Sequence, residues 1–196
     1  LDEWIKGVCQ VFENRVKRTL QQGGWAAGVM CMEFATAGIA AASAAAGVDF
    51  VLYDMEHTGW GLETIKMLVG SSIDQQIVPL VRVPTTEYHW IAHSLDVGAM
   101  GIVIPLCRDA AQAKLAVQYA KYPPMGRRGC AFGISHDRYR GGDVKQKIDF
   151  INQNTMLIMQ IENLEGLDNV EEIAAVEGVD GLWVGQFDLS ASMGIP

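Results

Sequence analysis

The sequence predicts an α/β chain folded as a (β/α)8 barrel, with only about six of the eight strands present in this chain. Three observations lead there. Short apolar runs recur at intervals of roughly 25 residues, each followed by a helical pattern, which is the mark of right-handed βαβ units and a parallel sheet buried on both faces. An open doubly wound sheet would place a phosphate-binding glycine loop after an early strand, and no GxGxxG or GxxxxGK[ST] follows any strand here. Polar side chains also stand at the C-terminal ends of four strands, the rim on which barrel enzymes assemble their sites.

The elements follow in order. Residues 2–21 place Trp4, Ile5, Val8, Val11, Phe12, Val16 and Leu20 at helical spacings, and Gly23-Gly24 ends the run. This lead-in, residues 1–22, is expected to pack across one end of a single domain covering 1–196. Strands are expected at 25–32, 50–54, 77–82, 101–105, 155–161 and 181–185, with VPLVRV and GIVIPL apolar enough for two-sided burial. Helices are expected at 35–46, 62–72, 87–96, 109–120, 144–153 and 164–175. The glycines of GWAAG and ATAGIAAASAAAG suit helix packing. A long interruption, KYPPMGRRGCAFGISHDRYRGGD (121–143), is expected to be an ordered loop that faces substrate or another subunit.

Composition narrows the function. With 49% hydrophobic and 19% charged residues the chain is globular. A net charge of −8 leaves no basic face for nucleic acid, and Arg127-Arg128 alone does not make one. The longest apolar run, residues 34–48, is short, internal and rich in Ala and Gly, so it reads as a buried helix and not as a membrane span or signal peptide. Cys9, Cys31, Cys107 and Cys130 lack CxxC spacing, which fits free thiols in a reducing cytoplasm better than a zinc site or disulfides.

The rim residues carry the chemistry. Strand 2 ends in Asp54, Glu56 and His57, strand 3 in Arg82, strand 5 in Gln160 and Glu162, and strand 6 in Gly185 and Asp188. Glu162 and Asp188 could meet over the barrel mouth and hold Mg²⁺ or Mn²⁺, since the ligands are all oxygen. They could equally cap the helix and turn that follow them, and both readings stand on spacing alone. His57 at a strand exit suits a general base oriented by Asp54, with a structural histidine as the plainer reading. Arg82, closing an apolar strand, needs an anionic partner, either a protein carboxylate or a substrate oxygen. Schiff-base chemistry would need a lysine inside the barrel, and every lysine falls on an expected helix or loop.

YDMEH (53–57), VRVP (81–84), LDVGAMGIVIP (95–105), KYPPMGRRG (121–129), MQIEN (159–163) and VEGVDGLWVGQFDLSASMG (176–194) together resemble the HpcH/HpaI aldolase family, in order from about residue 13 onward. The family comprises class II, metal-dependent pyruvate aldolases. The resemblance implies that Glu162 and Asp188 bind Mg²⁺ or Mn²⁺ and that backbone N–H groups of Phe187 and Asp188 hold a pyruvate carboxylate. It further implies that Arg82 stabilises the enolate oxygen, that Gln160 supports the metal and pyruvate, and that His57, paired with Asp54, shuttles protons. The implied enzyme is a cytoplasmic carbon–carbon lyase and a homo-oligomer, typically a hexamer, acting on a 2-oxo acid and an aldehyde.

The chain departs from the family pattern where Gly185-Gln186-Phe187 replaces a Gly-Pro step before the metal aspartate, and where Trp60 follows the histidine. Phe187 and Trp60 add bulk at the mouth and bear on the choice of aldehyde. Six strands fall two short of a closed barrel, so about 60 further residues, two more βα units, are expected from a longer protein. The alternatives are a citrate-lyase-like or malyl-CoA-like enzyme acting on a CoA thioester, and a non-catalytic fragment that binds metal or keto acid.

Overall fold

The computed structural model describes residues 13–196. The lead-in over residues 2–12 and Cys9 lie outside the described residues. Within them run α1 (Arg15–Gln21), β1 (Gly28–Cys31), α2 (Gly38–Ala45), β2 (Phe50–Asp54), α3 (Leu62–Asp74), β3 (Val78–Arg82), α4 (Tyr88–Asp96), β4 (Gly101–Ile104) and α5 (Ala110–Ala120). A single 3₁₀ turn (Ser135–Asp137) precedes α6 (Val144–Asn154), β5 (Met156–Ile161), α7 (Leu164–Asp168), α8 (Val170–Ala174), β6 (Gly181–Val184) and α9 (Gln186–Ser192).

The six strands pair in sequence order, every neighbour parallel, and curl into a partial barrel with helices on the outside. Side chains alternate across this sheet, because successive residues of a strand point to opposite faces. Val51, Tyr53, Val81, Ile102, Ile104, Leu157, Met159 and Ile161 face the helices and build the larger core with Ile65, Leu68, Ile91 and Leu95. Leu52, Val78, Leu80, Val103 and Met156 face the barrel interior and pack with Val16 of α1. Each such fully buried aliphatic side chain contributes about 1.5–3 kcal/mol. The inward alternation brings Asp54, Arg82 and Gln160 to the ends of their strands, above the apolar interior.

Residues 13–21 lie at the N-terminal end of the sheet. Asn14 caps α1 through a bond from the Lys17 N–H (3.0 Å), and its own amide donates to the carbonyls of Met100 (2.9 Å) and Asn154 (3.1 Å). Lys17 Nζ donates to the Thr155 carbonyl and pairs with Asp180. β1 and β6 are the two ends of the sheet, each with one paired neighbour.

Two helical expectations are corrected. The helix expected over 164–175 is two short ones, because Asn169 leaves helical geometry (φ −100°, ψ 11°) while its side-chain amide donates to the carbonyls of Arg108 and Glu165. The turn expected around Asp188 is the helix α9, seven residues too short for an apolar period to reveal.

The 121–143 loop is ordered, but its buried anchors sit away from the rim. Lys121 Nζ donates to the carbonyls of Asn152 and Thr155, just before β5, and Arg128 pairs with Asp96 at the end of α4 (3.1 Å) while stacking on Tyr122. These anchors fasten the loop to helix ends at the N-terminal side of the strands, away from this chain's own rim. Among the described residues no helix is long and apolar enough to cross a membrane.

Candidate active site

Three strand ends and one helix meet at the C-terminal rim. Asp54 and Arg82 are direct register partners on β2 and β3, and Gln160 lies opposite Trp183 on β5 and β6. Arg82 Nε donates to Asp54 Oδ1 at 2.6 Å, with both side chains buried. Arg82 Nη1 reaches Gln160 Oε1 at 3.4 Å, and the guanidinium carbon stands 5.6 Å from the centre of the Trp183 ring. Gln160 Nε2 in turn donates to Glu162 Oε2, while Glu162 Oε1 accepts the backbone N–H of Leu106 at 2.6 Å. Leu106 presents that N–H from a left-handed backbone (φ +51°) in the turn after β4.

Electrostatics follow from this chain of contacts. Burial would raise the Asp54 carboxyl, but the hydrogen bond and charge of Arg82, with the backbone N–H groups of Glu56 and His57, hold it below the ordinary carboxylate range. Burial pushes Glu56 up, opposed by Arg82 and reinforced by the charges of Glu162 and Asp54. Glu162 is likewise pushed up, first by burial and then by the negative charge of Asp188, against the bonds from Leu106 and Gln160.

The expected pairing of the His57 ring with Asp54 is corrected. Asp54 Oδ2 accepts the backbone N–H of His57 (3.1 Å), and Oδ1 accepts that of Glu56 (3.1 Å) as well as Arg82. The carboxylate is consumed in folding the turn after β2 and in holding Arg82. The imidazole instead lies beside Glu56, with Nε2 at 3.7 Å from Oε2.

Neither capping role read from the spacing is found. Asn163 caps α7 by accepting the Gly166 N–H, and α9 has Gly185 at its N-cap position and no side-chain cap. Glu162 is buried and Asp188 exposed in the first turn of α9, near enough for its charge to act on Glu162. Two mutually repelling carboxylates, with oxygen donors only, suit a hard divalent cation. The described residues hold no group of three or more His, Cys, Asp and Glu that could bind a metal. Gly185 keeps the space open: a Cβ there would lie 2.5 Å from Glu162 Oε2 and 2.8 Å from Gln160 Nε2.

Of the other expected residues, Phe187 is exposed on α9, and Trp60 is half-buried against the helix-side core. Sequence reasoning missed Trp183 and the Leu106 N–H. Trp183 was within reach of it, because alternation along β6 puts residues 181, 183 and 185 on the inner face; the Leu106 contact depends on a backbone turn with no side-chain signal.

A partial parallel barrel with its polar groups gathered on the C-terminal rim defines the barrel-enzyme class of site. The chain belongs to the HpcH/HpaI aldolase/citrate lyase family, whose model matches residues 29–196. It is 36% identical to a hydroxypyruvate/pyruvate aldolase of Roseobacter denitrificans over 92% of this chain and 70% of that protein. It is 35% identical to a 5-keto-4-deoxy-D-glucarate aldolase of Escherichia coli over 94% of this chain and 71% of the relative. Its fold superposes on the crystal structure of an HpcH/HpaI aldolase from Desulfitobacterium hafniense with a TM-score of 0.88, at 29% identity over 92% of this chain and 69% of the other. These relatives are named aldolases, that is, carbon–carbon lyases.

Proposed function

We propose that this chain carries the site of a metal-dependent aldolase that cleaves 4-hydroxy-2-oxo acids reversibly into pyruvate and an aldehyde. The observation that carries the reading is the relay Asp54–Arg82–Gln160–Glu162, which fixes a guanidinium and a carboxylate side by side at the rim. Both named relatives above are aldolases, which supports the reaction class.

Glu162 and Asp188 would hold a divalent cation, Mg²⁺ or Mn²⁺, which when bound supplies Lewis-acid polarisation of the 2-oxo group. Every other part falls to the chain's own residues. Arg82 spends its Nε–H on Asp54 and one Nη1–H on Gln160, which leaves its remaining N–H groups for the oxygen on which charge grows as the C–C bond breaks. Because Asp54 locks the guanidinium beforehand, little reorganisation is needed at the moment of reaction. The backbone N–H groups of Phe187 and Asp188, in the uncapped first turn of α9, would bind the substrate carboxylate. His57, half-exposed at the exit of β2, would take the proton of the C4 hydroxyl as the C3–C4 bond breaks and deliver it to C3 of the pyruvate enolate, with both transfers reversed in synthesis. Phe187, exposed beside Asp188 on α9, and Trp60, three residues after His57, are the proposed determinants of aldehyde size.

Exchange of pyruvate methyl protons for deuterium tests the reading. The protein with Mg²⁺ or Mn²⁺ should catalyse exchange, and EDTA, Glu162→Ala or Asp188→Ala should abolish it. Exchange that persists without metal overturns the mechanism, and no exchange in the metal-loaded protein overturns the function.

A further inference from the structure

Glu56 has a buried carboxylate oxygen that no donor satisfies. Its Oε2 lies 3.2 Å from Arg82 Nε and accepts no hydrogen bond. The reason is stoichiometric: a guanidinium Nε carries one hydrogen, and that hydrogen points at Asp54 Oδ1, 2.6 Å away. Glu56 therefore receives the charge of Arg82 without its proton. A buried acceptor left in that state costs about 1–3 kcal/mol. One further ring nitrogen stands close to the same oxygen, His57 Nε2 at 3.7 Å. That gap is too long for a hydrogen bond as it stands, but the imidazole is half-exposed and a small rotation closes it.

We infer that Glu56 is the positioning residue for His57: its Oε2 accepts the Nε2–H, fixes that tautomer, and leaves Nδ1 as the atom that takes the substrate proton. The inference rests on the proposed aldolase reading for what Nδ1 acts upon, while the tautomer itself is a property of the folded chain. The division of labour among the carboxylates of the β2 exit follows. Asp54 is spent on Arg82 and on the backbone of the turn; Glu56, two residues on, faces the ring. Arg82 then serves both, as hydrogen-bond donor to the first and as a counter-charge that opposes the burial-driven rise of the second.

The chain has four histidines, so imidazole ¹⁵N shifts of ¹⁵N-histidine-labelled protein can be assigned with a His57→Gln variant. Above the imidazole titration range, wild-type His57 should be a single Nε2–H tautomer. Glu56→Gln, whose amide can donate to Nε2, should populate the Nδ1–H form. In the metal-loaded protein the same substitution should slow deuterium exchange about tenfold, and Glu56→Gln should cost nothing further in a His57→Gln background. Unchanged His57 shifts in Glu56→Gln overturn the inference, as does a wild-type tautomer mixture like that of exposed His93. So does an additive double variant, which would place Glu56 with Arg82 alone. If wild type catalyses no exchange, the aldolase reading fails while the ¹⁵N shifts still decide the role of Glu56.

Discussion

Replacing Arg82 with methionine should destabilise the protein by about 3 kcal/mol at neutral pH, and the loss should shrink as the pH falls. Removing one partner of a buried ion pair costs about 3–5 kcal/mol, because the other charge stays behind without compensation. Asp54 is fully buried and Arg82 nearly so, which places the pair in that class, while the two backbone N–H groups that Asp54 retains argue for the lower end. The pH dependence has a definite sign. With Arg82 present, Asp54 is held below its unfolded value near 3.9, so its contribution is complete above that value and is lost as pH falls through the folded one. In Arg82→Met that contribution is absent, and Glu56 and Glu162 lose the cation that opposes their upward shift. Their raised carboxyls then bind protons before the unfolded chain does, which stabilises the variant as the medium is acidified. Urea unfolding at about pH 7.5 and pH 5 measures both effects, and thermal unfolding at the higher pH should show a fall in Tm of about 6–12 °C. A loss under about 1 kcal/mol, or the same loss at both pH values, would refute the claim that this ion pair is a buried structural element.

Two further outcomes follow from the geometry. Gly185→Ala should weaken Mg²⁺ or Mn²⁺ binding at least tenfold by calorimetry with the fold retained, because its Cβ would collide with Glu162 Oε2 and Gln160 Nε2; unchanged affinity would remove Gly185 from the site. His136, in the 121–143 loop, is pushed down to about 4, chiefly by burial and then by the charge of Arg128. Its unfolded value lies near 6.5, so the unfolded chain takes the proton first, and the protein should lose about 2–3 kcal/mol between pH 7 and 4. His136→Phe should flatten that part of the stability profile, and an unaltered slope in denaturant unfolding would count against it.

How far the sequence reveals the site depends on which contacts are local. The strands were legible because each apolar run is short and followed by a helical period, and the rim because polar residues end those runs at 54, 82 and 160–162. The polar choice at the rim then follows from alternation, since the face that carries Leu52, Leu80 and Ile158 must carry Asp54, Arg82 and Gln160 two residues later. What a single strand cannot reveal is register. Asp54 and Glu56 are both within three residues of His57, and local spacing favours neither as the partner of its ring. The choice is made by β3, which lies in register so that Arg82 stands opposite Asp54 and takes that carboxylate. Glu56 is left facing the imidazole because of a residue more than twenty positions away. The same limit hid the Leu106 N–H, which reaches Glu162 only because β4 and β5 are neighbours, and the helical state of Asp188, which depends on a seven-residue element. The sequence therefore identifies the members of this site more readily than their pairing, and the pairing decides which carboxylate binds the guanidinium and which faces the base.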